Sequence, residues 1–130
     1  MHSLLHIKYL FVYLSDITIK KKMKRIYISG AITGSTQASA QFESAEMFLK
    51  SKGFDPINPM KLDHSKSEKW EDYMRIDIKS LMDADGIYML RGHERSQGAQ
   101  IEKHLCLSLK MPIFFEEYPW YLDTFNSKRN

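Results

Sequence analysis

The residue pattern with the clearest chemical meaning is the stretch 96–102 (SQGAQIE), which follows the apolar run 86–90 (GIYML). The pattern predicts a strand, a polar loop, and a helix that begins near Gln97 or Gly98. Glu102 then lies about one turn inside that helix. Ligands of an open parallel sheet bind at the carboxyl ends of its strands, and anions favour helix N-termini. The stretch therefore indicates chemistry on a phosphorylated or sugar-bearing small molecule.

Two further side chains are predicted to reach the same edge of the sheet as Glu102. Tyr27 lies in the apolar run 25–29, and Asp77 lies in the helical stretch 70–82. Two carboxylates in different environments can divide the roles of nucleophile and general acid in glycosyl transfer, while a phenol orients the attacking carboxylate. The spacing of Asp77 and Glu102 is also typical of ordinary carboxylates on solvated helix faces. A catalytic pair and two surface carboxylates therefore both stay open as interpretations at this point.

Strand and helix patterns alternate along the chain, and these elements must position the three side chains. Strands are predicted at 25–29, within 54–59, at 84–90 and at 111–115, and helices at 36–52, 70–82 and 97–110. This alternation favours an α/β domain, flavodoxin-like or Rossmann-like, with three layers and a short parallel sheet. Right-handed crossovers place the loops after the first three strands at one edge, where the polar stretch 61–69 is expected to cover a site.

The apolar positions of the second and third predicted helices give an expectation for their buried faces. The inward-facing positions predicted for the second helix are Tyr73, Met74, either Ile76 or Asp77, Leu81 and Met82. Those predicted for the third helix are Ile101, Leu105, Cys106 and Leu109.

Composition indicates one globular domain with a neutral body. The chain has 130 residues, of which 43% are hydrophobic and 27% are charged, which is ordinary for a soluble domain. The formal net charge of +3 comes from the segment 1–22, which contains four lysines and one aspartate. The body therefore gives no reason to expect a nucleic acid or a membrane as partner. The lone Cys106 excludes an internal disulfide, fits a cytoplasmic location and is expected to be a buried structural thiol.

The segment 1–22 is predicted to be separate from the domain, which we assign to residues 23–130. Its apolar run 4–14 is too short and too interrupted to cross a bilayer, and no signal-peptide pattern accompanies it. We interpret the segment as an accessory or spuriously included leader. The alternative is a short helix or strand that docks on the domain or on a second subunit.

Five short motifs together carry a resemblance to a known family. In order, they are 26–30 (IYISG), 75–77 (RID), 84–88 (ADGIY), 96–102 (S-x-G-A-x-x-E) and 110–113 (KMPI). Across about residues 24–115 the chain resembles the nucleoside 2-deoxyribosyltransferase superfamily. It is most similar to a small phage and bacterial branch, related to the deoxynucleoside 5′-monophosphate N-glycosidases.

The resemblance implies a role for each of the three convergent side chains. Glu102 matches the nucleophile that forms a deoxyribosyl-enzyme intermediate, Tyr27 the tyrosine that positions it, and Asp77 the acid that assists departure of the nucleobase. The N-terminus of the predicted third helix is expected to help keep Glu102 ionised. The implied reaction is cleavage or transfer at the N-glycosidic bond of a 2′-deoxynucleoside or its 5′-monophosphate, without metal or cofactor.

Two positions depart from the transferases. Ser96 stands where they often carry an aspartate, and a serine there resembles the N-glycosidases, in which it helps to hold the 5′-phosphate. Lys103 replaces the apolar residue that commonly follows the nucleophile. The substrate-binding residues predicted on this basis are Ser29, Gly30, Gly34, Ser96 and Gly98, with Thr33, Arg91 and Arg95 as further possible donors.

Other patterns are weaker. Trp70 and Tyr73 could stack on a nucleobase, although the start of an amphipathic helix explains them equally well. The histidines are too scattered for a metal site, and the glycine-rich segment 30–34 lacks the ending of a P-loop.

The expected partner is a small deoxynucleoside or deoxynucleotide, and the resemblance also implies that the chain forms a homo-oligomer. The alternatives are a non-catalytic nucleotide-binding or sensing module of the same fold and a structural accessory protein.

Overall fold

The structure, a computed structural model, describes residues 25–32 and 36–119. Its four strands are β1 (Arg25–Ser29), β2 (Asp55–Ile57), β3 (Gly86–Met89) and β4 (Ile113–Phe115). They form one sheet in the order β2-β1-β3-β4, and all neighbouring strands are parallel. The first four strands of a flavodoxin-like sheet have this order. The predicted α/β fold with a short parallel sheet is therefore confirmed.

Three helices connect the strands: α1 (Ala38–Ser51), α2 (Trp70–Met82) and α3 (Gln97–Ser108). The bounds of α2 agree with the prediction. Gly53 follows α1 with a φ of 87°, a left-handed conformation that ends a helix. Helix α3 ends two residues before the predicted boundary, because Lys110 adopts a φ of 58°. The segment between β2 and α2 contains a short 3-10 turn, Pro59–Lys61.

The sheet separates two apolar clusters, which gives the predicted three layers. Successive side chains of a strand point to opposite faces, so Ile26 and Ile28 join the cluster that contains Phe42 of α1. Tyr27 joins the opposite cluster, which contains Leu81 of α2 as well as Ala99 and Cys106 of α3. Burial of Cys106 confirms the expectation of a buried thiol.

The buried faces of α2 and α3 differ from the predicted ones. Helix α2 buries Met74, Asp77 and Leu81, whereas Tyr73 and Met82 are exposed. Met74, Leu81 and, of the two alternatives, Asp77 are therefore confirmed as inward-facing, whereas the prediction was wrong for Tyr73 and Met82.

The same correction holds for α3. This helix buries Ala99, Glu102 and Cys106, whereas Ile101 and Leu109 are exposed. Each helix that covers this face of the sheet therefore presents one carboxylate to the interior.

Some predictions concern residues outside the described part of the chain. The leader 1–22 lies there, as does 120–130, the last part of the domain that we assign to residues 23–130. None of the described helices combines the length and the apolar character needed to cross a membrane. The cytoplasmic location stays a prediction.

Candidate active site

A cavity of about 530 Å³ opens beyond the carboxyl end of β1, between the loop that precedes α2 and the first turns of α3. This is the edge of the sheet at which the sequence placed the site, next to the point where the strand order reverses. The predicted site residues that line the cavity are Tyr27, Ser29, Gly30, Asp77, Ser96, Gly98 and Glu102. Gly34 lies outside the described residues.

Two hydroxyl groups hold the carboxylate of Glu102. The Tyr27 hydroxyl donates to Oε2 over 2.7 Å, and the Ser29 hydroxyl donates to Oε1 over 2.7 Å. Both donors come from β1, where alternate residues face α3, and Glu102 is only 4% exposed. A carboxylate offers about four lone-pair sites, so each oxygen keeps a lone pair for a substrate. The structure thus brings the predicted nucleophile and the predicted phenol together, and shows Ser29 as a second hydrogen-bond donor to Glu102.

Burial raises the pKa of Glu102 to about 7. The hydrogen bonds from Tyr27 and Ser29 act in the opposite direction, and the charge of Asp77 adds to the rise. The helix N-terminus was expected to keep this carboxylate ionised, but burial outweighs that effect. Near neutral pH the group therefore exists in both forms.

Burial also acts on the phenol that holds Glu102. It raises the pKa of Tyr27 well above the ordinary value, and the negative charges of Glu102 and Asp77 raise it further. The Tyr27 hydroxyl therefore stays neutral at ordinary pH. In that form it is a permanent hydrogen-bond donor to the carboxylate.

Asp77 is paired with a histidine that the sequence interpretation assigned to no site. His64 Nε2 lies 2.7 Å from Asp77 Oδ1, and the His64 ring stacks on Tyr73. Burial raises the pKa of Asp77, and the hydrogen bond and charge of His64 lower it. The available signal was that His64 is a titratable residue in the stretch 61–69, which was expected to cover a site. His64, Glu68 and Lys69 of that stretch do line the cavity.

Ser96 has a structural role at the start of α3. Its Oγ accepts a hydrogen bond of 3.1 Å from the Ala99 N–H, as expected of an N-cap residue. The hydroxyl proton of Ser96 is not used by this bond, because a hydroxyl accepts and donates independently. Capping and a phosphate contact are therefore compatible.

Two glycines of the cavity wall, Gly30 and Gly98, are closely packed. A Cβ on Gly98 would lie 2.9 Å from the sulfur of Met74, and one on Gly30 would lie 3.0 Å from Cβ of Leu90. Because Gly98 has no Cβ, α3 can lie close to α2. Because Gly30 has none, the chain after β1 can pass close to the chain after β3.

Aromatic and apolar side chains form the outer wall of the cavity. Trp70 and Tyr73 are both partly exposed and line it together with Met60 and Ile32. Such a wall suits a flat heteroaromatic ring. Arg91 and Arg95, which were considered as phosphate donors, do not belong to the lining.

The lining contains no arrangement typical of a metal site. In the described part of the chain, one group of three side chains is close enough to share a metal ion: His93, Glu94 and Glu117. None of them lines the cavity. The absence of a metal cofactor stays a prediction.

The strand order and the position of the cavity define a flavodoxin-like α/β protein whose site is built around two buried carboxylates. Residues 24–115 match the family described as Domain of unknown function (DUF4406), and the chain belongs to that family. The match spans the same residues as the resemblance noted from the sequence motifs. No curated protein matches the chain.

Proposed function

We propose that this protein cleaves or transfers at the N-glycosidic bond of a 2′-deoxynucleoside or its 5′-monophosphate, with Glu102 as the nucleophile. One observation carries the proposal. A carboxylate that is 4% exposed borders the cavity and accepts hydrogen bonds from both Tyr27 and Ser29. A buried carboxylate is costly unless it is hydrogen-bonded, and these donors orient it beside a space large enough for a nucleoside.

The resemblance to the nucleoside 2-deoxyribosyltransferases supports the same assignment. The motifs that carry it place Tyr27, Asp77 and Glu102 in the roles of positioning phenol, acid and nucleophile. In the structure these three residues line one cavity, although they come from β1, α2 and α3. The order of the motifs and the convergence of these side chains support the same assignment.

The chemistry proceeds in two displacements. A Glu102 oxygen forms a bond to C1′ of the sugar, the C1′–N bond breaks, and its electron pair goes to the nucleobase. Neutral Asp77 gives its proton to the departing base. Water or a second base then attacks C1′, its proton passes to the Asp77 carboxylate, and Glu102 is released.

The raised pKa of Asp77 supports its role as the acid. Burial favours the neutral form of this group, and only that form can protonate a leaving base. Glu102 must be ionised to attack, and its two hydroxyl donors favour that form. Burial thus raises the pKa of both carboxyl groups, and at Glu102 the hydrogen bonds from Tyr27 and Ser29 oppose the rise by favouring the ionised form that a nucleophile needs.

The proposal is tested by incubating the protein with the common deoxynucleosides and their 5′-monophosphates and measuring free base by chromatography. We expect base release from at least one substrate. Adding a second base separates transfer from hydrolysis, because only a transferase forms the new nucleoside. Thermal stabilisation by a nucleotide without base release would contradict the proposal and favour the non-catalytic binding module.

A further inference from the structure

His64 bridges two residues on one face of α2. Tyr73 and Asp77 are four residues apart, so they lie one turn apart on the helix surface. The His64 ring stacks on Tyr73 with centroids 4.9 Å apart and an interplanar angle of 22°. Its Nε2 lies 2.7 Å from Asp77 Oδ1, and the side chains of His64 and Asp77 are only 15% and 11% exposed. Stacking and hydrogen bonding together determine where the ring lies.

The backbone around His64 is also held in place. The carbonyl of His64 accepts a hydrogen bond of 2.9 Å from the N–H of Ser67, which closes a turn. Three residues before His64, the Lys61 ammonium donates over 2.6 Å to Glu46, a nearly buried carboxylate of α1. The loop that carries His64 is therefore tied to α1 on one side and to α2 on the other.

This geometry constrains the acid proton of Asp77. A neutral carboxyl group carries one proton on one of its two oxygens. When the His64 Nε2–H donates to Oδ1, that oxygen acts as an acceptor, and the proton belongs on Oδ2. After transfer of the proton to a leaving base, the same N–H stabilises the carboxylate that remains.

We propose that His64 is a positioning residue that keeps the acid proton of Asp77 on Oδ2, directed to the departing nucleobase. The inference rests on the proposed function and adds a residue to it. His64 acts through Asp77 and does not itself react with the sugar. Loss of the N–H should therefore impair only reactions whose leaving base needs a proton.

Two variants of His64 separate its hydrogen bond from its packing. His64→Phe keeps a ring that can stack on Tyr73 but lacks the N–H. His64→Gln replaces Nε2 by an amide N–H at a similar distance from the backbone. His104→Phe makes the same exchange at an exposed position of α3 outside the cavity, and serves as the matched control.

Each variant is assayed on two substrates. One is the deoxynucleoside 5′-monophosphate that the wild-type protein cleaves fastest. The other is the N7-methyl derivative of 2′-deoxyguanosine 5′-monophosphate, whose cationic base leaves as a neutral molecule without being protonated.

We expect His64→Phe to lower kcat by about 10- to 100-fold on the ordinary substrate and to leave kcat on the methylated substrate close to wild type. His64→Gln should recover most of the loss, and His104→Phe should behave as wild type. Equal losses on both substrates, or no loss on the ordinary one, would overturn the inference while leaving the nucleophilic role of Glu102 intact. Absence of base release by the wild-type protein would instead overturn the proposed function and this inference with it.

Discussion

At the scale of single residues, the protonation of Glu102 determines what the site can do. The carboxylate is buried, which raises its pKa to about 7, and two hydroxyl donors partly oppose that rise. A nucleophile must be ionised to attack C1′. The reactivity of the site should therefore change within the physiological pH range.

This balance predicts a pH profile. The rate of base release should rise with pH through about 7 as Glu102 ionises. Tyr27→Phe removes a hydrogen bond that favours the ionised form, so the rising limb should move to higher pH. Tyr88→Phe is the matched control, because Tyr88 is buried on the opposite face of the sheet. A limb that stays in place or moves to lower pH in Tyr27→Phe would contradict the assignment of that limb to Glu102.

The same burial makes Glu102 a source of instability at alkaline pH. Because its pKa rises from 4.5 in the ordinary state to about 7 in the folded state, folding is favoured by protonation. Wild-type stability should thus fall between about pH 4.5 and 7, by at most about 3 kcal/mol. Glu102→Gln, which cannot ionise, should be more stable than wild type at pH 8 and similar to it at low pH.

Denaturant unfolding of both proteins at pH 4 and pH 8 measures this difference. Glu94→Gln serves as a control, because the Glu94 side chain is 64% exposed and does not line the cavity. If Glu102→Gln were the less stable protein at pH 8, the carboxylate would be stabilising in the folded state, and the account of its burial would be wrong.

At the scale of elements, the start of α3 combines a structural and a chemical task. Ser96 caps the helix by accepting from the Ala99 N–H, and its hydroxyl proton is left for another partner. The proposed partner is the 5′-phosphate of a nucleotide. These two tasks respond differently to substitution.

Replacement of Ser96 separates them. Ser96→Ala removes the cap and should lower the free energy of unfolding by about 1 kcal/mol. Ser96→Asp keeps a capping acceptor but adds a negative charge where the phosphate is expected. It should raise KM for a deoxynucleoside 5′-monophosphate and leave KM for the deoxynucleoside unchanged. Equal effects of Ser96→Asp on both substrates would argue against a phosphate contact at this position.

Helix faces show where prediction from the sequence succeeded and where it failed. The bounds of α2 were predictable because Trp70 opens a clear helical pattern and Met82 closes it. Its inward face was predicted partly wrongly, since Tyr73 and Met82 are exposed, whereas Met74, Leu81 and Asp77, one of the two alternatives given for its position, are buried. Ile101 of α3 was misplaced because Glu102, a carboxylate that apolar spacing does not predict to be buried, takes the interior position beside it.

At the scale of the whole molecule, topology converts distant sequence motifs into one cavity. The parallel order β2-β1-β3-β4 brings every loop that follows a strand to one edge. The convergence of Tyr27, Asp77 and Glu102 could therefore be predicted from the sequence, because it depends only on the direction of the strands. His64 could not be placed in the same way, since its contact with Asp77 depends on the path of an irregular loop.

The predicted homo-oligomer also belongs to this scale, and it stays a prediction. Leu107 in the last turn of α3 and Leu109 directly after the helix expose apolar surface. Light scattering of the purified full-length chain determines the number of subunits, and a mass equal to one chain would contradict the expectation.

The central claim is that Glu102 is the nucleophile, and base release by Glu102→Ala tests it most directly. The wild-type protein, Glu102→Ala and the surface control Glu94→Ala are compared on the best deoxynucleoside or deoxynucleotide substrate, with circular dichroism to verify folding. We expect equal rates for wild type and Glu94→Ala, and no detectable release by a folded Glu102→Ala protein. Base release by Glu102→Ala at a rate near that of wild type would contradict the account.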